Sequence, residues 1–152
     1  MEVRLAKACD TAGWMALVEQ VRDSFPGLES REAMEEHRET VLAFLARDEA
    51  ICAVEGGRLV GALLFSKEAG MLCFLAVDES CRRRHIAQSM VEYMLTFLEP
   101  GRELTVTTYR EGVPEGAAAR AFYKRLGFTE GRLTEEFGSP VQEFRWKRPK
   151  GE

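Results

Sequence analysis

Histidine is scarce in this chain of 152 residues: there are two, alongside four cysteines. No two cysteines form a C-x-x-C pair, so the ligand spacing of a zinc site is missing and neither a metal centre nor a disulfide framework is expected. Cys52 and Cys73 lie inside apolar runs and read as reduced core thiols. Basic excess is missing too. Lys and Arg total 21 against 25 Asp and Glu, a net charge of -4, which argues against a nucleic-acid partner. No apolar run approaches the ~20 residues that span a bilayer, and Met1-Glu2-Val3-Arg4 lacks the basic-then-apolar order of a signal peptide. A soluble cytoplasmic protein without a membrane partner is expected. The length suits one domain over residues 1–152 with a sizeable core, and no repeat, low-complexity tract or linker divides it.

What is present is a regular alternation of strand and helix signals. Val3 to Ala6 reads as a strand. Asp10 reads as the N-cap of a helix whose stripe is Trp14, Leu17, Val18, Val21 and Phe25, stopped by Pro26-Gly27. Ser30 reads as the cap of a second helix with the stripe Met34, His37, Val41, Phe44 and Leu45; His37 is taken as a packed side chain there. Ile51–Glu55 and Arg58–Phe65 form a hairpin through Gly56-Gly57, where both turn positions favour positive φ. Met71–Val77 is almost wholly apolar, which predicts a central strand buried on both faces. A polar loop and a helix follow from Asp78, with Ile86, Met90, Met94 and Phe97 in one row and Pro100-Gly101 as its end. Leu104–Thr108 is a strand, Ala117–Leu126 a helix with Gly127 at its C′ position, and two strands close the chain across a turn at Gly138-Ser139-Pro140. The order β-α-α-β-β-β-α-β-α-β-β predicts a three-layer α/β fold with a mixed sheet.

Two stretches carry chemistry. The first is a strand, a loop and a helix start: Leu75-Ala76-Val77, then Asp78 to Arg84, then His85-Ile86-Ala87-Gln88. Free N–H groups in a first helical turn, with Arg82, Arg83 and Arg84 beside them, make a cradle for phosphate. The second is Ala118-Ala119-Arg120-Ala121-Phe122-Tyr123-Lys124-Arg125-Leu126-Gly127-Phe128, a short helix, a glycine stop and an aromatic strand start.

In this order and separation the two stretches resemble the GNAT superfamily of acyl-CoA N-acyltransferases. That family carries R/Q-x-x-G-x-G/A after its fourth strand, matched here by Arg82, His85 and Ala87. It later carries A-x-x-F/L-Y-x-x-x-G-F, matched by Ala119, Phe122, Tyr123, Gly127 and Phe128. The resemblance implies a GNAT-like fold with a mixed, mostly antiparallel sheet flanked by helices. It implies acetyl-CoA as co-substrate, no metal, and a small-molecule or peptide amine as acceptor; family members are often homodimers.

Carried over residue by residue, the backbone of Leu75, Ala76 and Val77 would pair with the pantetheine arm. The segment Arg82, Arg83, Arg84, His85, Ile86, Ala87 and Gln88 would hold the pyrophosphate, Phe122 would line the cofactor site, and Tyr123 would protonate the departing thiolate. Two departures stand out: His85 replaces the family's glycine, and Gly116 stands where asparagine is common. His is among the residues better tolerated at positive φ. A base for the amine stays open between Glu136, Glu143, Tyr109 and a water chain, since Met71–Val77 contains no acid. A covalent route through Cys73 or Cys81 is set aside because neither has a histidine partner in the motif. A CoA-binding module without catalysis is the alternative reading.

Overall fold

A computed structural model describes residues 1–25, 27–82 and 85–147. Its strands are β1 (Glu2–Leu5), β2 (Ala50–Glu55), β3 (Arg58–Ser66), β4 (Met71–Val77), β5 (Glu103–Tyr109), β6 (Thr129–Glu136) and β7 (Ser139–Lys147). Its helices are α1 (Thr11–Val21), α2 (Arg31–Ala46), α3 (Ile86–Leu95) and α4 (Ala117–Leu126), with short 3₁₀ turns between elements. The order of strands and helices is the one expected from the sequence.

The local chemistry is legible at most element ends. Ser30 caps α2, its hydroxyl accepting from the Ala33 N–H at 3.0 Å. Gly56 and Gly57 turn the β2–β3 hairpin at φ 59° and 79°. Three expectations are corrected. Asp10 precedes α1 but makes no side-chain cap bond; its carboxylate instead accepts from Arg4 at 2.8 and 3.0 Å and from the Lys7 N–H at 2.7 Å. Helix α1 ends at Val21, and Phe25 sits in extended backbone, its ring 4.6 Å from that of Phe74; Pro26 lies outside the described residues. The β6–β7 turn is Phe137-Gly138, both at positive φ, so Ser139 and Pro140 already belong to β7.

The seven strands are ordered β1-β2-β3-β4-β5-β7-β6, and β4–β5 is the parallel pair among antiparallel ones. Both faces of the sheet are covered, which is why β3 is apolar at nearly every position. Leu63 and Phe65 point into one cluster, with Ile86, Met90 and Met94 of α3 and Tyr123 of α4. Ala62 and Leu64 point into the other, with Trp14, Leu17 and Val18 of α1 and Met34 and Val41 of α2.

The feature that positions a site is at the centre. On β4, Leu72 pairs with Phe65 of β3 and Phe74 with Leu64, so Cys73 is an extra residue, a β-bulge. A bulge bends its strand and sharpens its twist. On its other side β4 pairs with β5 at Met71↔Thr105 and Leu72↔Val106 and nowhere beyond. The two strands therefore part from Cys73 onward. This corrects the expected double burial of Met71–Val77. Leu72 and Ala76 are buried, Cys73 is exposed, and Phe74, Leu75 and Val77 are half-buried. The strand is central, but its apolar residues line an opening instead of lying wholly under helices.

Candidate active site

The opening between β4 and β5 leaves the β5-side backbone groups of residues 73–77 without a strand partner. An extended ligand can take that vacant edge by adding its own hydrogen-bonding groups to it. Leu75 and Val77 belong to the α3–α4 side and Ala76 to the α1–α2 side, so the edge carries side chains of both faces to the same cleft.

Past Val77 the chain makes a tight turn held by Asp78. Its carboxylate accepts from the Ser80 N–H at 2.9 Å, the Ser80 hydroxyl at 2.6 Å and Arg58 at 3.0 Å. The Ser80 bonds, with help from Gln20 and Arg58, hold this carboxyl below its usual range against the opposing effect of burial. Ser80 and Cys81 thus sit in a fixed turn leading to exposed Arg82.

His85 then stands at φ 60°, ψ 22°, in the left-handed region where the family motif has glycine. It is the N-cap of α3 and gives no side-chain bond to that helix's N–H groups; its Nδ1 lies 3.3 Å from Gln88 Oε1 instead. So the His85 side chain leaves the first-turn donors of α3 uncapped among the described residues, unlike Ser30 at α2, and they point where the dipole favours an anion. Exposed Arg82, His85 and Gln88, half-buried Ala87 and buried Ile86 are brought together here. Arg83 and Arg84 lie outside the described residues.

On the other wall, α4 carries Phe122 half-buried and Tyr123 buried. The Tyr123 ring packs against Phe122, Phe128 and Phe144 at centroid distances of 5.8, 5.7 and 6.2 Å, in the same cluster as Leu72 and Val106, the last paired residues before the opening. Among the described residues its hydroxyl has no hydrogen-bond partner, and burial pushes its pKa well up. The phenol is therefore protonated throughout the working pH range. Helix α4 is fixed by Arg120, which donates to the Tyr109 carbonyl at 3.0 Å and to Gln142 Oε1 at 2.8 Å, pairs with Glu130, and lies over the Phe144 ring. Sequence reasoning passed over Arg120; its place inside an otherwise matched motif was the available signal.

The remaining candidates separate clearly. His37 is packed as expected: Trp14 donates to its Nε2 at 3.3 Å, its ring lies 4.7 Å from Phe74, and burial lowers its pKa to about 4. Cys81 is buried. Cys73 faces solvent, although the atoms crowding its sulfur push its pKa up to about 11. Two surface hollows of about 400 and 430 Å³, one along α1 and α2 and one at the β5–α4 loop, do not include β4 or Tyr123. Among the described residues there is no cluster of three or more potential metal ligands, and no helix is long and apolar enough to cross a membrane.

Comparison with known proteins agrees with this arrangement. A GNAT-family acetyltransferase from Streptococcus agalactiae has the same fold, with a TM-score of 0.77 at 14% identity over 98% of this chain and 96% of that one. The PaiA N-acetyltransferase from Thermoplasma acidophilum, in complex with coenzyme A, gives 0.69 at 15% identity, covering 96% and 98%. The ribosomal-protein-alanine N-acetyltransferase from Brucella melitensis gives 0.68 at 16%, covering 97% and 99%. No curated protein matches the chain significantly. The sequence pattern of the Acetyltransferase (GNAT) family matches residues 14–128, from the buried tryptophan of α1 to the phenylalanine after the glycine stop of α4. A match over most of the chain, on a sheet parted in its middle, makes this protein a member of the GNAT acetyltransferase family.

Proposed function

We propose that this protein transfers the acetyl group of acetyl-CoA to a primary amine, by direct attack within a ternary complex, using one catalytic domain over residues 1–152. The observation that carries the reading is the parting of β4 from β5 beside the uncapped start of α3. One end of the cleft suits a diphosphate and its middle suits an extended amide-bearing arm; the coenzyme A held by the T. acidophilum relative supports that occupant. The site residues are Leu75, Ala76 and Val77 for the arm, Arg82 through Gln88 for the pyrophosphate, Phe122 as a wall and Tyr123 as the acid. A backbone N–H of Leu75 to Val77 would stabilise the oxyanion. Because acetyl-CoA is its co-substrate, we place the protein in the cytoplasm.

The test is a calorimetric titration with acetyl-CoA, followed by thiol release with a panel of amines. At a hundredfold the dissociation constant, ligand should raise stability by roughly 2.7 kcal/mol. Tyr123→Phe should bind acetyl-CoA normally and lose on the order of 10²-fold in turnover. Absence of binding would overturn the proposal. Binding without turnover on any amine would favour the second reading, a CoA-binding sensor or partner domain, which the acid-free β4 sequence motivates.

A further inference from the structure

We infer that Glu136 of β6 is the general base of the transfer, held in place by Thr107 on the face of the sheet opposite Tyr123. The inference rests on the transferase reading above and adds the residue that accepts the acceptor's proton.

The position follows from register. Beyond Val106, β5 has no partner on β4, and Thr107 is the first residue past that point. Its hydroxyl donates to the Glu136 carboxylate, 2.9 Å from each oxygen. Across the opening stands the bulged Cys73, whose thiol feels the Glu136 charge. Leu104 and Val106 point into the cluster that holds Tyr123; strand alternation puts Thr105, Thr107 and Tyr109 on the α1–α2 face. Glu136 and Tyr123 thus lie on opposite faces of the sheet. A thioester seated in the opening would have the carboxylate on one face and, on the reading above, the phenol on the other.

The other acids and bases are otherwise engaged. Glu143, paired with Thr107 across β7, has Oε1 enclosed without an aligned hydrogen bond. Arg145 Nη2 nevertheless lies 2.7 Å from it, and Arg145 also donates to Glu103 at 2.7 Å. That oxygen is therefore already taken up by an ion pair. Tyr109 is pushed up by burial and by Glu29, Glu115 and Asp23, so it stays a phenol. His37 has Nε2 occupied by Trp14. Glu136 is half-exposed, bonds to one neutral hydroxyl and has no ion-pair partner among the described residues. Its remaining lone pairs are free to take a proton.

The step balances as follows. The ammonium passes one proton to Glu136, directly or through water, and the free amine attacks the thioester carbon. A C–N bond forms, the C–S bond breaks, and the thiolate takes the phenolic proton of Tyr123. The nitrogen's second proton leaves by way of solvent, which also reprotonates Tyr123 and takes the proton from Glu136, so both groups are restored and each turnover releases one proton net. The groups sharing this face are Cys73 of β4, Tyr109 of β5, Glu143 and Arg145 of β7, and Asp23 and Glu29 between α1 and α2.

The experiment measures thiol release from acetyl-CoA between pH 6 and pH 10 with butylamine, with 1,4-diaminobutane, with an alanyl tetrapeptide, and with water alone as nucleophile. Glu136→Gln should bind acetyl-CoA as the wild type does, which also shows that it folds. It should lose on the order of 10²-fold at pH 7, and the deficit should shrink toward pH 10 as the ammonium loses its proton without help. Thr107→Val should lose less and displace the pH profile, and Glu136→Asp should recover part of the loss. Equal rates for Glu136→Gln and wild type, or a deficit independent of pH, would overturn the inference and leave the transferase reading standing. A wild type that binds acetyl-CoA but releases no thiol with any of the probes would overturn both.

Discussion

The side chain of Tyr109 fills the space in front of Gly116: a Cβ built on Gly116 would lie 2.5 Å from the Tyr109 Cβ. The contact is with the root of a side chain, so neither partner can swing aside. It leaves no room for a side chain at the position where the family resemblance would put asparagine. Gly116→Ala should therefore destabilise the fold by about 1–3 kcal/mol, the usual cost of forcing an extra carbon into a packed site. Urea unfolding of the two proteins measures it, and an unchanged midpoint would show that the β5–α4 turn moves freely.

His85 sits where a left-handed backbone costs a non-glycine residue roughly 1–2 kcal/mol. Glycine would relieve that strain but add freedom to the unfolded chain, worth about 0.4–1 kcal/mol in the other direction. His85→Gly should thus leave stability unchanged or raise it by up to about 1.6 kcal/mol. His85→Val, β-branched at the same φ, should lower stability and weaken acetyl-CoA binding together. Equal acetyl-CoA affinity in the two variants would separate the turn geometry from the cofactor.

Burial of His37 gives the fold a pH dependence of known sign. Its folded pKa, about 4, lies below the unfolded value near 6.5. Between those values the unfolded chain binds more protons, so stability is complete above about pH 6.5 and falls as pH drops toward 4. His37→Phe should flatten the slope of unfolding free energy against pH in that window by up to one proton. A slope unchanged by the substitution would place the acid sensitivity in the carboxylates instead.

Cys9 and Cys73 are exposed and Cys52 and Cys81 buried. Iodoacetamide should label two thiols in the native protein and four after denaturation. Cys73 should react slowly at neutral pH, because its pKa is raised to about 11. Saturating acetyl-CoA should protect Cys73 and leave Cys9 unaffected. Protection of neither thiol would move the pantetheine arm away from β4.

The sequence reading succeeded where local chemistry decides the outcome. Paired glycines make the 56–57 turn, serine caps α2, and Gly127 ends α4 at φ 118°. It failed where distant segments decide. The apolar run Met71–Val77 looks the same whether helices cover it or a cleft exposes it, and the bulge at Cys73 exists only by pairing with β3. Helix starts favour aspartate, which makes Asp10 look like a cap, but Arg4, six residues away, offers it a charged partner instead. Glu136 remained one of several acids because its nearness to Thr107 depends on β7 lying between β5 and β6. No spacing along the chain encodes that insertion.

One surplus residue in a strand has a mechanical consequence. With contact between β4 and β5 confined to two register pairs, the sheet behaves as two leaves, one of four strands and one of three, stitched along a short seam. A molecule lying in the gap would act as a splint across them. Stiffness should then spread through both leaves when it arrives, and slowed amide exchange on β4 and β5 together would be the mark of that bracing.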